Sequence, residues 1–473
     1  MSSTLALTGL LPFVVLIAAA LAFPVSLLLL RLYRRGVLRG MTKLGGAQAV
    51  QHAPESTRLG HATPAANLRI ETLETDTRPA VPPGNIHAWH NATRNPWLTA
   101  LVVLVSAHAY ALVMTTGWLY VSRDESGALV KLLILFWTYL WPGVLGVLLV
   151  AAYDPWRRAG VLGAYFAVLG VLFAIAVARN PNLDPAILPV YWLLTSGPAS
   201  ILLSTFLVRR IRAVGPLVLV FLIAIAIGSQ SLVSLAASND ALLRVMVEIG
   251  VALGLNAAGL FVGLMIAGAG VFTLLGWPLL GLIGRRYADK RFSEQSITVD
   301  AIFLLFGLVQ SIGFAFEGAL WILTGLFAFM TGKLLSVVGL RQIAARAVPS
   351  QARTLLLLRV FALGRRSEAL FNKLRTHWQH IGSISMIAGP DLVTSTIEPH
   401  EFLEFVSGRL GRQFVKDPQD LDTRLAHIDA TPDPDGRYRI NEFFCHGDTW
   451  QMTMERLAAS SDAVVMDLRG FSP

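Results

Sequence analysis

Four charged residues sit where a small anionic ligand could be held: Arg365, Arg366, Asp391 and Arg469. An arginine fork bonds phosphate or carboxylate through two parallel N–H groups. Each of the four lies at or just past an apolar run that reads as a strand. With Gly364, Gly389 and Ser472 they would gather outside the strand C-termini of an open α/β sheet, where such folds bind ligands. Solvated loop residues give the same pattern. His87-x-x-His90 and His377-x-x-His380 have the i, i+3 spacing of metal ligands. Neither has a carboxylate or cysteine partner nearby, so both read as exposed polar pairs and no metal is assigned. Cys445 is the single cysteine, which excludes an intrachain disulfide and a cysteine-based cluster within one chain. There is no Gly-x-x-x-x-Gly-Lys-Ser/Thr loop, no Gly-x-Gly-x-x-Gly and no Gly-x-Ser-x-Gly elbow, which argues against an ATP-driven pump, a dinucleotide enzyme and a hydrolase of the usual kinds. No catalytic residue and no cofactor is assigned.

The elements that must position these residues follow from composition. The chain has 473 residues, 54% hydrophobic and only 15% charged. A soluble domain carries roughly 25% charged residues. A helix crosses a bilayer core with about 20 apolar residues. Nine stretches qualify: 5–30, 97–121, 132–153, 161–178, 187–208, 214–237, 247–267, 297–316 and 318–338. The first is too long for a signal-peptide core, and its arginines follow it.

Net charge is +9, but it divides unevenly: residues 1–349 hold 25 basic against 14 acidic residues, and residues 350–473 hold 14 against 16. The excess flanks the apolar stretches, which is the positive-inside pattern rather than a nucleic-acid surface. The connections 31–96, 154–160, 209–213 and 284–296 hold eighteen Lys and Arg, against four in the alternate connections. That bias places the N-terminus outside and residues 354–473 in the cytosol. The loop 31–96 is polar, rich in Pro, Ala and Thr, and without periodicity.

Within the apolar region, Gly250-x-x-x-Gly254 and Gly259-x-x-x-Gly263 predict close helix approach, inside the bundle or between copies of the chain. From Ala241 to Ile283 the chain is almost continuously apolar, and one helix of that length would overreach a bilayer, so a break is expected at Gly268-Ala269-Gly270. His108, Gln230, Asn256 and Gln310 lie inside spans and read as interhelical hydrogen-bonding groups. Asp154, Glu248, Asp300 and Glu317 fall at or near span ends, which weakens an ion-coupled pathway.

Past a basic linker at 341–353 the pattern changes. Strands are expected at 354–361, 384–388, 438–445 and 463–468, and helices at 368–380, 398–412 and 448–459. Strands alternating with helices predict a small parallel α/β, Rossmann-like sheet. Arg359 and Asp467 interrupt two of the strands and would form an ion pair if those strands are neighbours.

The stretches Val360-Phe361, Gly364-Arg365-Arg366-Ser367-Glu368-Ala369-Leu370-Phe371 and Ser460-Ser461-Asp462-Ala463-Val464-Val465-Met466-Asp467-Leu468-Arg469 resemble pieces of a TIR-like, flavodoxin-type domain. The nearer likeness is to uncharacterised bacterial multi-pass membrane proteins with such a cytosolic tail. In enzymatic TIR domains the glutamate that cleaves NAD lies in the helix after a Ser-Pro turn. Here Ser472-Pro473 is the last dipeptide, so no residue takes that role and the α/β part is expected to be truncated. The resemblance implies a membrane sensor or signalling protein whose cytosolic domain binds a nucleotide-like ligand or a protein partner. The alternative is a transporter or channel with a regulatory tail. The partners expected are the lipid bilayer and a second copy of the chain, with no nucleic acid.

Overall fold

The computed structural model describes residues 11–42, 96–122, 129–151, 155–180, 182–207, 209–315, 321, 323–346, 353–359, 371, 374–375, 377–379, 381–389, 397–428 and 431–467. Among the described residues twelve α-helices precede the first strand: α1 Leu11–Met41, α2 Pro96–Ser122, α3 Leu129–Tyr139, α4 Trp141–Val150, α5 Pro155–Arg179, α6 Ile187–Ser204, α7 Arg209–Arg212, α8 Gly215–Ser238, α9 Asp240–Ala252, α10 Ala257–Ala288, α11 Glu294–Ala315 and α12 Leu323–Arg346. The parallel α/β part follows as β1 Arg353–Arg359, β2 Gly382–Ile387, α13 Pro399–Val406, β3 Phe414–Val415, α14 Pro418–Ala426, β4 Ile440–Cys445, α15 Trp450–Ser460 and β5 Ala463–Asp467.

Among the described residues six helices are long and apolar enough to cross a membrane, with Leu129–Val150 counted as one, and the bent pair within 187–207 would be a seventh. The expectation of nine is therefore met in part. α5 and α10 have only 11% of their apolar stretch buried in the protein. Side chains such as Val171, Ile266 and Leu274 face outward along them. Large apolar surface around whole helices is tolerated where lipid, not water, is the solvent. The expected hairpin at Glu317 lies outside the described residues.

The expected break at Gly268–Gly270 is not there. The chain turns earlier, between α9 and α10, where Gly254 takes a positive φ of 69° that glycine alone adopts without cost. The Asn256 side chain then accepts the Gly259 N–H at 2.8 Å and starts α10. From there α10 runs unbroken for 32 residues, with Pro278 inside it. Gly268 is a packing position: a Cβ on it would strike the Gly228 carbonyl of α8.

The sheet has the order β3-β4-β2-β1-β5, all neighbours parallel. A flavodoxin-type sheet runs 2-1-3-4-5. Here β1 does lie between β2 and a later strand, but β4 and β3 extend the sheet beyond β2. Arg359 and Asp467 are register partners on β1 and β5. One face is filled by Leu355, Leu357, Phe371, Ile384 and Met386, with Leu374 and Trp378 against them, and the other by Leu356, Val415, Leu421, Phe443 and Leu457. The expected 15-residue helix at 398–412 stops at Val406, because Gly408 turns the chain with a φ of 73°. The first residues of the 341–353 linker instead complete α12.

A continuous apolar core joins the two parts. Phe402, Phe414 and Phe444 of the α/β part share a cluster with Tyr33 of α1 and Leu280 of α10. The α/β unit is seated on the bundle, not suspended from it.

A candidate functional site at the junction of bundle and sheet

The α/β unit packs on the C-terminal ends of helices α1 and α10. The approach depends on glycine. A Cβ on Gly36 would lie 2.9 Å from Leu410, one on Gly40 would overlap the Phe414 ring, and one on Gly284 would lie 2.6 Å from Leu403. Tyr33 meets Phe405 edge to face at 5.3 Å. His446 stacks on Phe414 at 4.8 Å and its Nδ1 lies 2.9 Å from the Gly40 carbonyl.

Arg439 is the polar hub of this junction. It lies one residue before β4 and is 8% exposed. Its guanidinium donates to Asp433 Oδ1 at 2.8 Å, to the Tyr287 carbonyl at 2.7 Å and to the Phe292 carbonyl at 3.3 Å. It also lies over the Tyr287 ring, 3.9 Å from the centroid, a cation–π contact. A buried charge is tolerated only when paired and hydrogen-bonded, and Arg439 meets both conditions. Two of its acceptors are backbone carbonyls, one in the last turn of α10, where it also accepts the Lys290 N–H at 2.9 Å, and one in the loop after it.

The segment 431–439 is clamped from other sides too. Lys290 donates to the Thr431 carbonyl and to its hydroxyl, the latter at 2.7 Å. Arg437 donates to the Val150 carbonyl at the end of α4, at 3.1 Å. Arg375 pairs with Glu294 in the first turn of α11 at 3.3 Å.

Carboxyl groups crowd the same place. Glu398, the N-cap residue of α13, keeps 15% of its side chain exposed and lies 3.4 Å from His400. Burial pushes its carboxyl up to about 8, against the pull of Arg439 and Arg375 and with the push of Asp433 and Glu294. Burial likewise pushes Asp433 up to about 7, with Arg439 opposing. Glu401, whose carboxylate accepts the Glu398 N–H at 2.9 Å, is raised by burial and then by Glu398 and Glu442.

A second ion pair stands behind the first. Lys333 of α12 pairs with Asp300 of α11 and lies 4.8 Å from the Phe292 ring. The Phe292 carbonyl is an acceptor of Arg439. Asp300, Lys333, Ser106, Phe303, Phe329 and Ser336 line a small cleft of about 20 Å³, room for about one water. Packed groups thus run from within the bundle to the sheet.

Arg365, Arg366, Asp391 and Arg469 lie outside the described residues, as do Ser472 and His87-x-x-His90. Gly250 ends α9, Gly254 forms the turn, and a Cβ on Gly263 would meet nothing within 4 Å. Helix backbones instead approach closely at Gly228–Gly268 and Gly307–Gly325, while Gly36 and Gly40, four apart in the sequence, make room for the Leu410 and Phe414 side chains. His108 is exposed and bonds its own helix at the Leu104 carbonyl, 2.7 Å away. No group of three His, Cys, Asp or Glu residues suited to a metal occurs among the described residues. Arg439 gave no local signal, since its partners Tyr287 and Phe292 are about 150 positions away.

Fold and site together define a polytopic helical bundle with a parallel α/β unit docked on one end through a buried polar junction. Neither a known family, nor a curated protein, nor a solved structure matches the chain.

Proposed function

We propose that the chain is an integral protein of the bacterial cytoplasmic membrane that senses a condition at or in the bilayer and signals it inward. In this reading the bundle has about nine spans, the N-terminus is outside and the α/β unit is cytosolic. The unit passes on the state of the bundle by binding a nucleotide-like ligand or a protein partner. The observation that carries the reading is Arg439: it leads directly into β4, inside the sheet, while holding the carbonyls of Tyr287 and Phe292 in the bundle. Movement of the α10 end relative to α11 is therefore transmitted to β4.

Cys445 at the end of β4 is buried, and as the only cysteine it is a native reporter. The test is its rate of maleimide labelling at fixed pH in full-length protein, in nanodiscs of short-chain and long-chain lipid. The wild-type rate is expected to change with bilayer thickness, and Arg439→Lys is expected to lose that response. A wild-type rate indifferent to the bilayer would overturn the reading.

A transporter or channel with a regulatory tail is favoured by one observation, the Asp300–Lys333 pair lining a cleft between α2, α11 and α12. Solute flux through full-length protein in proteoliposomes, lost in Asp300→Asn and Lys333→Met, would establish it.

A further inference from the structure

Arg212 of the short helix α7 has a guanidinium that lacks a counter-ion. Among the described residues its side chain makes one hydrogen bond, from a terminal nitrogen to the Leu207 carbonyl at 3.1 Å. Its Nε is buried and has no acceptor. We propose that Arg212, with Arg375, Arg437 and Arg158, binds a phosphate group at the seam between the bundle and the α/β unit.

The position is a built one. Ile211, Ala213 and Val214 around the arginine are buried, and so is Phe206 before them, so α7 is wedged in the protein. Cations reach the same seam from other elements. The end of α4 accepts Arg437 of the α/β unit on the Val150 carbonyl at 3.1 Å and Gln295 of α11 on the Leu149 carbonyl at 3.3 Å. Glu294, the residue before Gln295, pairs with Arg375 of the α/β unit at 3.3 Å. The end of α4, the first turn of α11 and two arginines of the α/β unit thus converge, and α7 packs on α11. The charges that act most on Arg212 are Glu294, Arg375, Arg437 and Arg158. Three like charges therefore stand against one carboxylate that Arg375 already holds.

Taking a guanidinium out of water among like charges is costly unless an anion sits beside it. A phosphate group supplies what is missing, negative charge and several acceptor oxygens that the planar fork matches. Because Arg375 and Arg437 belong to the α/β unit and Arg212 and Arg158 to the bundle, a bound phosphate would also tie the two together. Trp156, 87% exposed at the start of α5 beside Arg157 and Arg158, has the character of a side chain at headgroup level. Basic pockets at the cytosolic ends of helices hold anionic headgroups. An anionic lipid and a soluble phosphate compound offer the same chemistry here. The site lies beyond the sensor reading, which does not use it.

The test is the thermal unfolding midpoint of full-length protein in nanodiscs, which rises when a ligand binds the folded state. One arm compares phosphatidylcholine discs with discs of increasing phosphatidylglycerol content. The other adds inorganic phosphate to phosphatidylcholine discs, with chloride holding the ionic strength constant. A saturable rise is expected in at least one arm, with half-saturation displaced about tenfold or more in Arg212→Gln as charged hydrogen bonds are lost. Arg158→Gln, at an exposed position, should act in the same direction and serves if Arg212→Gln misfolds. Arg412→Gln, at an exposed position of the α/β unit, should leave the rise unchanged. A rise with the lipid alone assigns the site to a headgroup, one with phosphate alone to a soluble compound, and one with both to the phosphate group whatever carries it. The proposal is overturned if neither arm raises the midpoint, if Arg212→Gln and Arg158→Gln respond like the wild type, or if Arg412→Gln weakens the response as much as they do. Phosphate binding combined with bilayer-insensitive Cys445 labelling would retain the site and reject the sensor.

Discussion

Two ion pairs, Asp433–Arg439 and Asp300–Lys333, stand on either side of Phe292, and they are held differently. In the first, the side chains are 7% and 8% exposed, and the guanidinium has three acceptors and a ring face. In the second they are 24% and 19% exposed in an open cleft, and the ammonium has one carboxylate and one ring. The first is a fixed fastening that cannot lose a partner without leaving a desolvated charge. The second can rearrange cheaply. The Asp433–Arg439 pair therefore resists disruption more than the Asp300–Lys333 pair does, a difference that the proposed sensing function would use.

Substitutions should separate the two. Arg439→Ala should have the largest effect, destabilising the docked state by about 3–5 kcal/mol because Asp433 and two carbonyls lose their partner. Thermal unfolding in detergent should show a lowered or split transition, and a single unshifted transition would show the junction to be dispensable. Gly40→Leu comes next, at about 1–3 kcal/mol, since the Phe414 ring must move aside. The same melt, combined with a pulsed electron-resonance distance between spin labels at Ala288→Cys on the bundle and Gln419→Cys on the α/β unit in a Cys445→Ala background, should show undocking while the helical signal is retained. Asp300→Asn should cost about 1 kcal/mol, because the pair is partly exposed and the Phe292 ring remains. If it melts the protein as severely as Arg439→Ala, the contrast between the two pairs fails. Asp422→Ala, at the Arg456 pair with side chains 56% and 55% exposed, should leave stability unchanged within error.

Glycine shows which contacts could be anticipated and which could not. Gly259-x-x-x-Gly263 and Gly36-x-x-x-Gly40 have the same spacing. Only the structure distinguishes an open position at Gly263 from one filled by Phe414 at Gly40. The spacing licenses close approach, but what approaches depends on elements hundreds of residues away. The Gly268–Gly270 stretch misled for a related reason: small residues permit a bend and permit tight packing equally, and contact with Gly228 of α8 chose packing. β3, with two residues, was too short to show periodicity. α14 was not anticipated, although its Asp417-Pro418-x-Asp420 start has the form of a helix cap, and the Asp417 side chain does accept the Asp420 N–H at 2.8 Å.

Composition and periodicity alone determined that this chain builds apolar helices long enough for a bilayer and, after them, a parallel sheet of short apolar strands. Those are local properties: twenty apolar residues, or five β-formers between turns, carry their tendency wherever they stand. Tertiary structure decided where the sheet is seated, which of the arginines is buried, and which carboxyls crowd around it. Desolvation belongs to a place in space and not to a residue type, so a lone Arg439 in the sequence became the centre of the molecule's polar junction only once α10, the loop at Phe292 and β4 were brought together.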